Sequence, residues 1–271
     1  MYDFAYHRPA NLEDAAALLS DNDEFKLLAG GMSLIPPLKM RLARHNGLVD
    51  LGAVEALKGI RREGRSLVIG AMTPHAEVAS SAEVAKAIPA LAALAGGIGD
   101  PLVRNRGTIG GSIANADPAA CYPSSVLGLG AAVITNRREI AADDFFLGLF
   151  ETALQAGEII TAVRFPIPLA ACYWKHRQPA SRFAQIGVFV AKTTNGVRVA
   201  ITGAAGSVFR YTAAERALDK HFDPSVLDGM TLSPEGLNAD IHASAEYRAN
   251  CIPVITKRAV AMAIANSAAQ E

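Results

Sequence analysis

Cysteine is scarce in this chain, with only Cys121, Cys172 and Cys251 among 271 residues. The three cysteines form no CxxC pair, and none has a histidine partner at zinc-ligand spacing. The six histidines are scattered in the same way. We therefore expect no disulfide framework, no iron–sulfur cluster and no metal site on this chain.

The chain also lacks an excess of positive or negative charge and has no long apolar run. Twenty-six basic residues balance 26 acidic ones, which argues against a nucleic-acid partner and against an anionic membrane surface. No apolar run approaches the roughly 18 residues of a membrane span, and Met1–His7 is too polar for a secretory signal. Because 51% of the residues are hydrophobic, the chain can bury large cores. These features predict a folded, cytoplasmic protein.

Common catalytic and nucleotide-binding motifs are absent as well. There is no GxGxxG fingerprint and no GxxxxGK[ST] loop, which disfavours a nicotinamide dinucleotide site and phosphoryl transfer. No local signature of a Ser-His-Asp arrangement is present. The pair Asp143-Asp144 is better explained as a helix cap than as two catalytic carboxylates. We predict no catalytic side chain here.

A domain boundary is predicted near Pro166-Ile167-Pro168, where prolines follow a strand-like run at 159–165. The clearest helix before it is Asn11–Leu19, which Asn11 can cap while Asp14 returns a bond to the first turn. Helical runs alternate there with β-like ones, which are Phe25–Leu28, Leu48–Leu51, Ser66–Ile69 and Ala132–Thr135. The first part is therefore predicted to be α plus β.

The second part begins with an expected antiparallel hairpin. Ile186–Lys192 and Val197–Thr202 flank Asn195-Gly196, a dipeptide that favours a type I′ turn. Helices are predicted at 212–218, shortly after Pro224, and from about 245 to 266, where alanine is frequent.

Two glycine-rich segments carry the chemical signal. The first, Leu28–Ile35, contains Gly30-Gly31, where successive backbone N–H groups can hold a phosphate, although a lone glycine pair is more often a simple turn. The second, Gly99–Pro118, shows neither helical nor strand periodicity. It combines glycines with hydroxyls, an amide and two arginines, a mixture that suits a diphosphate and a ribityl chain. Together the two segments predict a nucleotide cofactor site.

These segments belong to a series of motifs that runs along nearly the whole chain. The series is Ala29-Gly30-Gly31-x-Ser33-Leu34-Ile35-Pro36, Gly70–Thr73, Gly99–Pro118, Ala142–Phe146, Gln178–Arg182, Ala245–Arg248 and Lys257-Arg258-Ala259. With this series the chain resembles the medium, flavin-binding subunits of molybdenum hydroxylases. That group includes the carbon monoxide dehydrogenase medium subunit and the FAD domain of xanthine dehydrogenase.

The resemblance implies a fold class and a domain layout. The expected fold is α+β, with a p-cresol methylhydroxylase-like FAD-binding domain at 1–167 in two subdomains, about 1–56 and 57–167. A C-terminal domain at 168–271 is expected to contain a three-stranded antiparallel sheet and helices. The isoalloxazine ring is expected where the two subdomains meet the C-terminal domain.

The resemblance also implies which residues bind FAD. The first segment is expected to contribute Ala29, Gly30, Gly31, Met32, Ser33 and Leu34, and the second Thr108, Ile109, Gly110, Gly111, Ser112, Asn115 and Asp117. Cys121 and Gln185 are expected at the same site, which makes fifteen residues, and together with Met32 they depart from the family pattern. Cys121 stands where an aspartate is common, Gln185 where the xanthine dehydrogenase branch has a lysine near the flavin, and Met32 where a more polar residue often lies.

Several aromatic and basic residues near these segments allow two interpretations. Arg104 and Arg106 could face the FAD diphosphate, or could be solvated or paired across a subunit interface. Tyr173 and Trp174 could lie near the flavin, although packing is the commoner role of such aromatics.

The function implied by the resemblance is indirect. A large partner subunit would hold the molybdenum cofactor, a small one would hold two-iron two-sulfur clusters, and FAD on this chain would pass the electrons to an external acceptor. A dimer of heterotrimers is expected. Two alternatives stay open: a self-sufficient FAD oxidoreductase that turns over alone, and a structural subunit that has lost its flavin.

Overall fold

The computed structural model describes residues 1–20, 22 and 24–268, and it begins with a small parallel sheet. Its strands are β1 (Ala5–His7), β2 (Phe25–Leu28) and β3 (Gly47–Asp50), in the order β1-β3-β2. Helices α1 (Leu12–Ser20) and α2 (Ile35–Lys39) belong to the same part. The expected helix cap is confirmed, because Asn11 Oδ1 accepts the N–H of Asp14 at 2.8 Å.

A five-stranded antiparallel sheet forms the centre of the molecule. In chain order its strands are β4 (Ile60–Glu63), β5 (Ser66–Gly70), β6 (Ala132–Thr135), β7 (Glu139–Ala141) and β10 (Ile160–Pro166). They lie in the order β4-β5-β10-β6-β7, so β10 pairs with two strands far away in sequence. A separate hairpin, β8 (Phe146–Gly148) with β9 (Glu151–Thr152), precedes β10.

Seven short helices lie between β5 and β8. Their bounds are α3 (His75–Ser80), α4 (Ala82–Ala87), α5 (Pro89–Gly96), α6 (Pro101–Arg106), α7 (Ile109–Asn115), α8 (Tyr122–Gly128) and α9 (Ala142–Phe145). Three-residue 3-10 helices at Leu51–Ala53 and Glu55–Leu57 connect the first sheet to the second.

A second antiparallel sheet follows, built from β11 (Ala170–Arg177), β12 (Ala184–Thr193), β13 (Gly196–Thr202) and β14 (Phe209–Arg210) in that order. After it come α10 (Thr212–Lys220), a 3-10 turn at Pro224–Leu227 and the long helix α11 (Ala245–Ala268). The three strands that the resemblance implies are too few, because the two-residue strand β14 pairs with β13 as a fourth.

The predicted hairpin between β12 and β13 is present, but its turn differs from the expectation. Thr193 pairs with Gly196, so Thr194 and Asn195 form the tip. A positive φ, of 116°, occurs at Gly196 and not at Asn195, which rules out the type I′ turn. The Thr193 hydroxyl accepts the N–H of Asn195 at 3.0 Å and supports the observed turn.

The sheet β11–β14 is buried on both faces, and this joins the two parts of the chain. On β12, Phe189 and Ala191 face the core of the five-stranded sheet, whereas Val188 and Val190 face α10 and α11. A third core lies under the small parallel sheet, around Val49. Among the described residues, none of the helices combines the length and apolar character needed to cross a membrane.

The acidic pair Asp143-Asp144 does not cap a helix, contrary to expectation. The N-cap of α9 is Ala141, and no side chain caps this helix. Asp143 instead accepts a hydrogen bond from Arg198 Nη2 at 2.6 Å and lies 3.5 Å from Arg210 Nη1. It therefore links α9 to the C-terminal sheet, a role that only the folded chain reveals.

We expect Arg248 to be a strong determinant of stability. Its side chain is 3% exposed and donates to Gln185 O at 2.7 Å, Gly203 O at 2.9 Å and Asp240 Oδ2 at 2.7 Å. Arg248→Met should lower the free energy of unfolding by about 3 kcal/mol, because it leaves carbonyls and a carboxylate without their donor.

Denaturant unfolding provides the measurement, with Arg258→Met as the control because Arg258 is exposed on the same helix. The control should change stability by no more than about 0.5 kcal/mol. Equal effects of the two variants would contradict this role of Arg248.

Candidate functional site

A cavity of about 1220 Å³ is lined by both glycine-rich segments. This volume exceeds the range of about 300–1,000 Å³ that is usual for small-molecule pockets, so it suits a large, extended ligand. Thirteen of the fifteen predicted site residues line the cavity. They are Ala29, Gly30, Gly31, Met32, Ser33, Leu34, Thr108, Gly110, Gly111, Ser112, Asn115, Asp117 and Cys121.

The first glycine segment presents a row of unused backbone donors. Among the described residues, the N–H groups of Gly30 through Leu34 find no acceptor. Gly31 has a φ of 76°, a left-handed conformation that glycine adopts without strain. Consecutive N–H groups in such a turn form a concave site for an anion. This segment is thus suited to hold a diphosphate.

The second glycine segment is helical, although its sequence shows no helical periodicity. Two short helices, α6 and α7, occupy most of it. Asp100 Oδ1 accepts the N–H of Val103 at 2.9 Å to cap α6, and Thr108 Oγ1 accepts that of Gly111 at 3.1 Å to cap α7. Helices of one or two turns are too short to show a hydrophobic period, and capping residues define them instead.

Most backbone donors of the second segment are already used inside the protein. Ile109 N–H donates to Thr73 O at 3.1 Å, and Gly110 N–H donates to Ala71 O at 2.8 Å. The N–H of Ser112 donates to Thr108 O at 3.0 Å. This segment can therefore contact a ligand mainly through its side chains and its glycine surfaces.

The glycines also allow the two segments to approach each other. A Cβ atom on Gly30 would lie 2.0 Å from the carbonyl oxygen of Arg106. A Cβ on Gly110 would lie 2.5 Å from Ala71 Cβ, and one on Gly111 would lie 3.3 Å from Ala29 Cβ. The missing side chains are what allow the backbones to pack together here.

Two of the predicted site residues do not line the cavity. The side chain of Ile109 is fully buried in the core of the five-stranded sheet. Gln185 is half-buried, and its Nε2 lies 3.5 Å from His242 O. Neither side chain contributes to the cavity wall.

The arginines and aromatics that allowed two interpretations also lie outside the cavity lining. Arg104 Nη1 donates to Ile98 O at 3.0 Å and to Gly99 O at 3.3 Å, so it fastens its own loop, whereas Arg106 is exposed. Tyr173 stacks on Phe189 with ring centroids 6.3 Å apart, and Trp174 packs against the core under α11. Packing is therefore the role of both aromatics.

Cys121 lies in the cavity wall and is 5% exposed. Burial raises the pKa of the neighbouring Tyr173 phenol well above its ordinary value, and Cys121 raises it further. The position that often holds an aspartate in the family is thus an enclosed part of the wall.

Sequence reasoning missed several parts of the wall. Leu154–Ile160, His75 and Lys175 line the cavity, as do Ala180–Phe183, which overlap a matching motif but were not singled out. Lys175 is half-buried, and its Nζ donates to Gly97 O at 3.2 Å. A single basic or imidazole residue within a strand or helix forms no recognisable motif. Only the folded structure therefore identifies Lys175 and His75 as lining residues.

Glu158 fastens the loop at Leu154–Ile160. Its side chain is fully buried, and it accepts bonds from Arg138 Nε at 2.9 Å, Thr135 Oγ1 at 2.8 Å and Gln155 N at 2.9 Å. The hydrogen bond from Arg138 is the main reason why the pKa of Glu158 falls to about 2. The carboxylate therefore stays ionised and positions this wall.

The donor set suits a dinucleotide rather than a metal ion. Within 1–20, 22 and 24–268, no three histidine, cysteine, aspartate or glutamate side chains come together as a potential metal site. The cavity instead offers consecutive N–H groups, hydroxyls, an amide and apolar walls, which match a diphosphate, a polyol chain and two ring systems.

Comparisons with known proteins agree with this chemistry. Residues 2–168 match a family model described as the FAD binding domain in molybdopterin dehydrogenase. The nicotine 6-hydroxylase medium subunit of Paenarthrobacter nicotinovorans is 37% identical, covering 94% of this chain and 95% of that one. The carbon monoxide dehydrogenase medium chain of Hydrogenophaga pseudoflava is 34% identical, covering 98% of both chains. The chain belongs to the FAD-binding medium subunits of the molybdenum hydroxylases.

The fold agrees with this family too. A crystal structure of quinoline 2-oxidoreductase from Pseudomonas putida 86 superposes with a TM-score of 0.88 at 29% identity, covering 98% of both chains. As a molybdenum hydroxylase flavin subunit, the chain is an oxidoreductase component. Its match to the relatives extends through the C-terminal sheet and α11, beyond the part that the family model covers.

We expect Gly30→Ala to damage the site. The added Cβ would meet the Arg106 carbonyl at 2.0 Å, so the two glycine segments would have to separate. The variant should lose about 1–3 kcal/mol of stability and bind FAD at least about tenfold more weakly.

Fluorescence titration with FAD and thermal unfolding measure the two effects. Gly206→Ala is the matched control, since a Cβ there meets nothing within 4 Å. FAD affinity that is unchanged in Gly30→Ala would show that contact between the segments is unimportant for the site.

Proposed function

We propose that this cavity holds FAD and that the chain passes electrons from the iron–sulfur clusters of a partner subunit, through FAD, to an external acceptor. FAD supplies the redox chemistry, while this chain binds and orients it and tunes its surroundings. The observation that carries the proposal is a row of five N–H groups, at Gly30–Leu34, that find no acceptor in the part of the chain that the structure describes and that lie in a cavity of dinucleotide size.

The donors suggest how the cofactor lies. The N–H groups of the first segment would hold the diphosphate, and the side chains of Thr108, Ser112 and Asn115 would face the ribityl chain. Asp117 is partly committed, because its Oδ1 already accepts the N–H of Ala119 at 2.8 Å. Its other oxygen remains available for a hydroxyl.

The two ends of the cavity differ in character. We propose that the adenine ring lies at one end, against Phe25, Leu19 and the Leu154–Gly157 loop, all of which line the cavity. The other end is lined by Lys175 and by Ala180–Phe183, next to the C-terminal sheet. We place the isoalloxazine ring at this second end, where the parts of the chain meet.

The wider assembly is part of the same proposal. We propose a large partner with the molybdenum cofactor and a small partner with two-iron two-sulfur clusters, arranged as a dimer of heterotrimers in the cytoplasm. We also propose that residues 1–167 form a p-cresol methylhydroxylase-like domain in two subdomains, followed by a C-terminal domain. The relatives are named for nicotine, carbon monoxide and quinoline, a diversity that fits a chain handling electrons rather than substrate.

Purification of the chain, followed by its visible spectrum and by mass analysis of any cofactor released on heating, tests the proposal. We expect flavin absorption bands and released FAD. A colourless chain that refuses added FAD would overturn the proposal and support the structural-subunit alternative. Substrate turnover by the chain alone would instead support the self-sufficient oxidoreductase.

Lys175 should raise the reduction potential of the bound flavin. Its ammonium group at the proposed isoalloxazine end would favour the reduced, anionic ring, a role that Gln185 cannot fill from outside the cavity lining. Lys175→Met should lower the two-electron potential by about 30 mV, which corresponds to about 1.4 kcal/mol.

Anaerobic redox titration measures this shift, and Lys175→Arg should restore most of it. Exposed Lys220 in α10 provides the control variant, Lys220→Met. If Gln185→Lys changed the potential and Lys175→Met did not, the assignment of the cation to Lys175 would be wrong.

A further inference from the structure

His75 is a buried imidazole in the cavity wall, and among the described residues neither of its ring nitrogens has a hydrogen-bond partner. It is 5% exposed and begins helix α3. Its backbone N–H donates to Gly107 O at 2.9 Å, which ties it to the middle of the second glycine segment, between α6 and α7. Its ring lies beside Tyr122, with centroids 5.3 Å apart.

The two ring nitrogens have different surroundings. Nδ1 is fully buried and has no hydrogen-bond partner among the described residues. Nε2 is not fully buried. It lies next to Gly107, and a Cβ atom on that residue would come within 2.6 Å of it. Gly107 thus leaves room for the Nε2 edge of the ring at the cavity.

The charge state of His75 follows from its burial. Removal from water lowers the pKa of His75 to about 4, and the positive charge of Arg104 adds to this effect. The ring is therefore neutral at physiological pH, with one donor and one acceptor nitrogen. A buried N–H without a partner is rarer and costlier than an unpaired acceptor, so the proton belongs on Nε2.

We propose that His75 is a cofactor-positioning residue whose Nε2–H donates a hydrogen bond to an oxygen of the FAD ribityl–diphosphate chain. This inference rests on the proposed function, because it requires FAD in the cavity. The oxygen-rich middle of the cofactor would lie along the two glycine segments, the second of which His75 contacts at Gly107. The second segment uses most of its backbone N–H groups internally, so His75 would add a donor to the side chains of Thr108, Ser112 and Asn115 on this wall.

The first test is FAD affinity, measured by fluorescence titration of the purified full chain. His75→Phe should weaken FAD binding about tenfold, as expected for the loss of one hydrogen bond of about 1.4 kcal/mol. His75→Gln, whose amide nitrogen reaches the Nε2 position, should recover most of the affinity. His75→Asn, which reaches only the Nδ1 position, should not.

The second test reads the proton directly and needs no variant that might misfold. With 15N-labelled histidine, NMR should show His75 as the neutral Nε2–H tautomer from pH 8 to pH 5, and its Nε2 signal should shift when FAD is added. An Nδ1–H tautomer, or an Nε2 signal that ignores FAD, would overturn the inference.

The outcomes separate this inference from the proposed function. If the unaltered chain does not bind FAD, the proposed function fails. If it binds FAD and His75→Phe binds equally well, only the role of His75 fails. The variant His221→Gln, at an exposed position, controls for nonspecific effects of replacing a histidine and should leave affinity unchanged.

Discussion

The close contact between the two glycine-rich segments is the constraint on which the rest of the site depends. Gly30 lies against the backbone of Arg106, and Gly110 lies against Ala71 at the end of the central sheet. In the second segment, the N–H groups of Ile109 and Gly110 donate to Thr73 O and Ala71 O, whereas among the described residues the N–H groups of the first segment from Gly30 to Leu34 find no acceptor. The second segment therefore supports the cavity wall, and the first segment is shaped to bind an anion.

The remaining walls of the cavity are held by separate devices. Glu158, which accepts hydrogen bonds from Arg138 and Thr135, fixes the Leu154–Ile160 loop in the cavity wall. At the proposed flavin end, Lys175 of β11 lines the cavity. The sheet that contains β11 packs on the core of the five-stranded sheet through Phe189. A sheet buried on both faces cannot move independently of the core beneath it, so the geometry around the proposed flavin end is well determined.

Much of this was predictable from sequence, for identifiable reasons. Strands such as Phe25–Leu28 and Ala132–Thr135 were predicted with their observed bounds, since local residue pattern decides them. The two glycine segments were recognised because their composition is unusual and their motifs match a family. The two-residue strand Phe209–Arg210 and the short helices α6 and α7 are not predicted because they are too short for a pattern to repeat.

The other errors concern tertiary contacts. Asp143 pairs with Arg198 from the C-terminal sheet, a contact across 55 residues that no local pattern indicates. His75 and Lys175 reach the cavity because of where α3 and β11 pack, and Gln185 misses it for the same reason. Family motifs thus located the cofactor segments, whereas single side chains that complete the walls required the three-dimensional structure.

Amide hydrogen exchange of the chain, compared with and without bound FAD, tests the central claim most directly. The N–H groups of residues 30–34 should exchange quickly without FAD and become strongly protected when it binds, whereas those of Ile109, Gly110 and Ser112 should be protected in both states. Protection by FAD that appeared on the second segment and not on the first would contradict the division of roles between them.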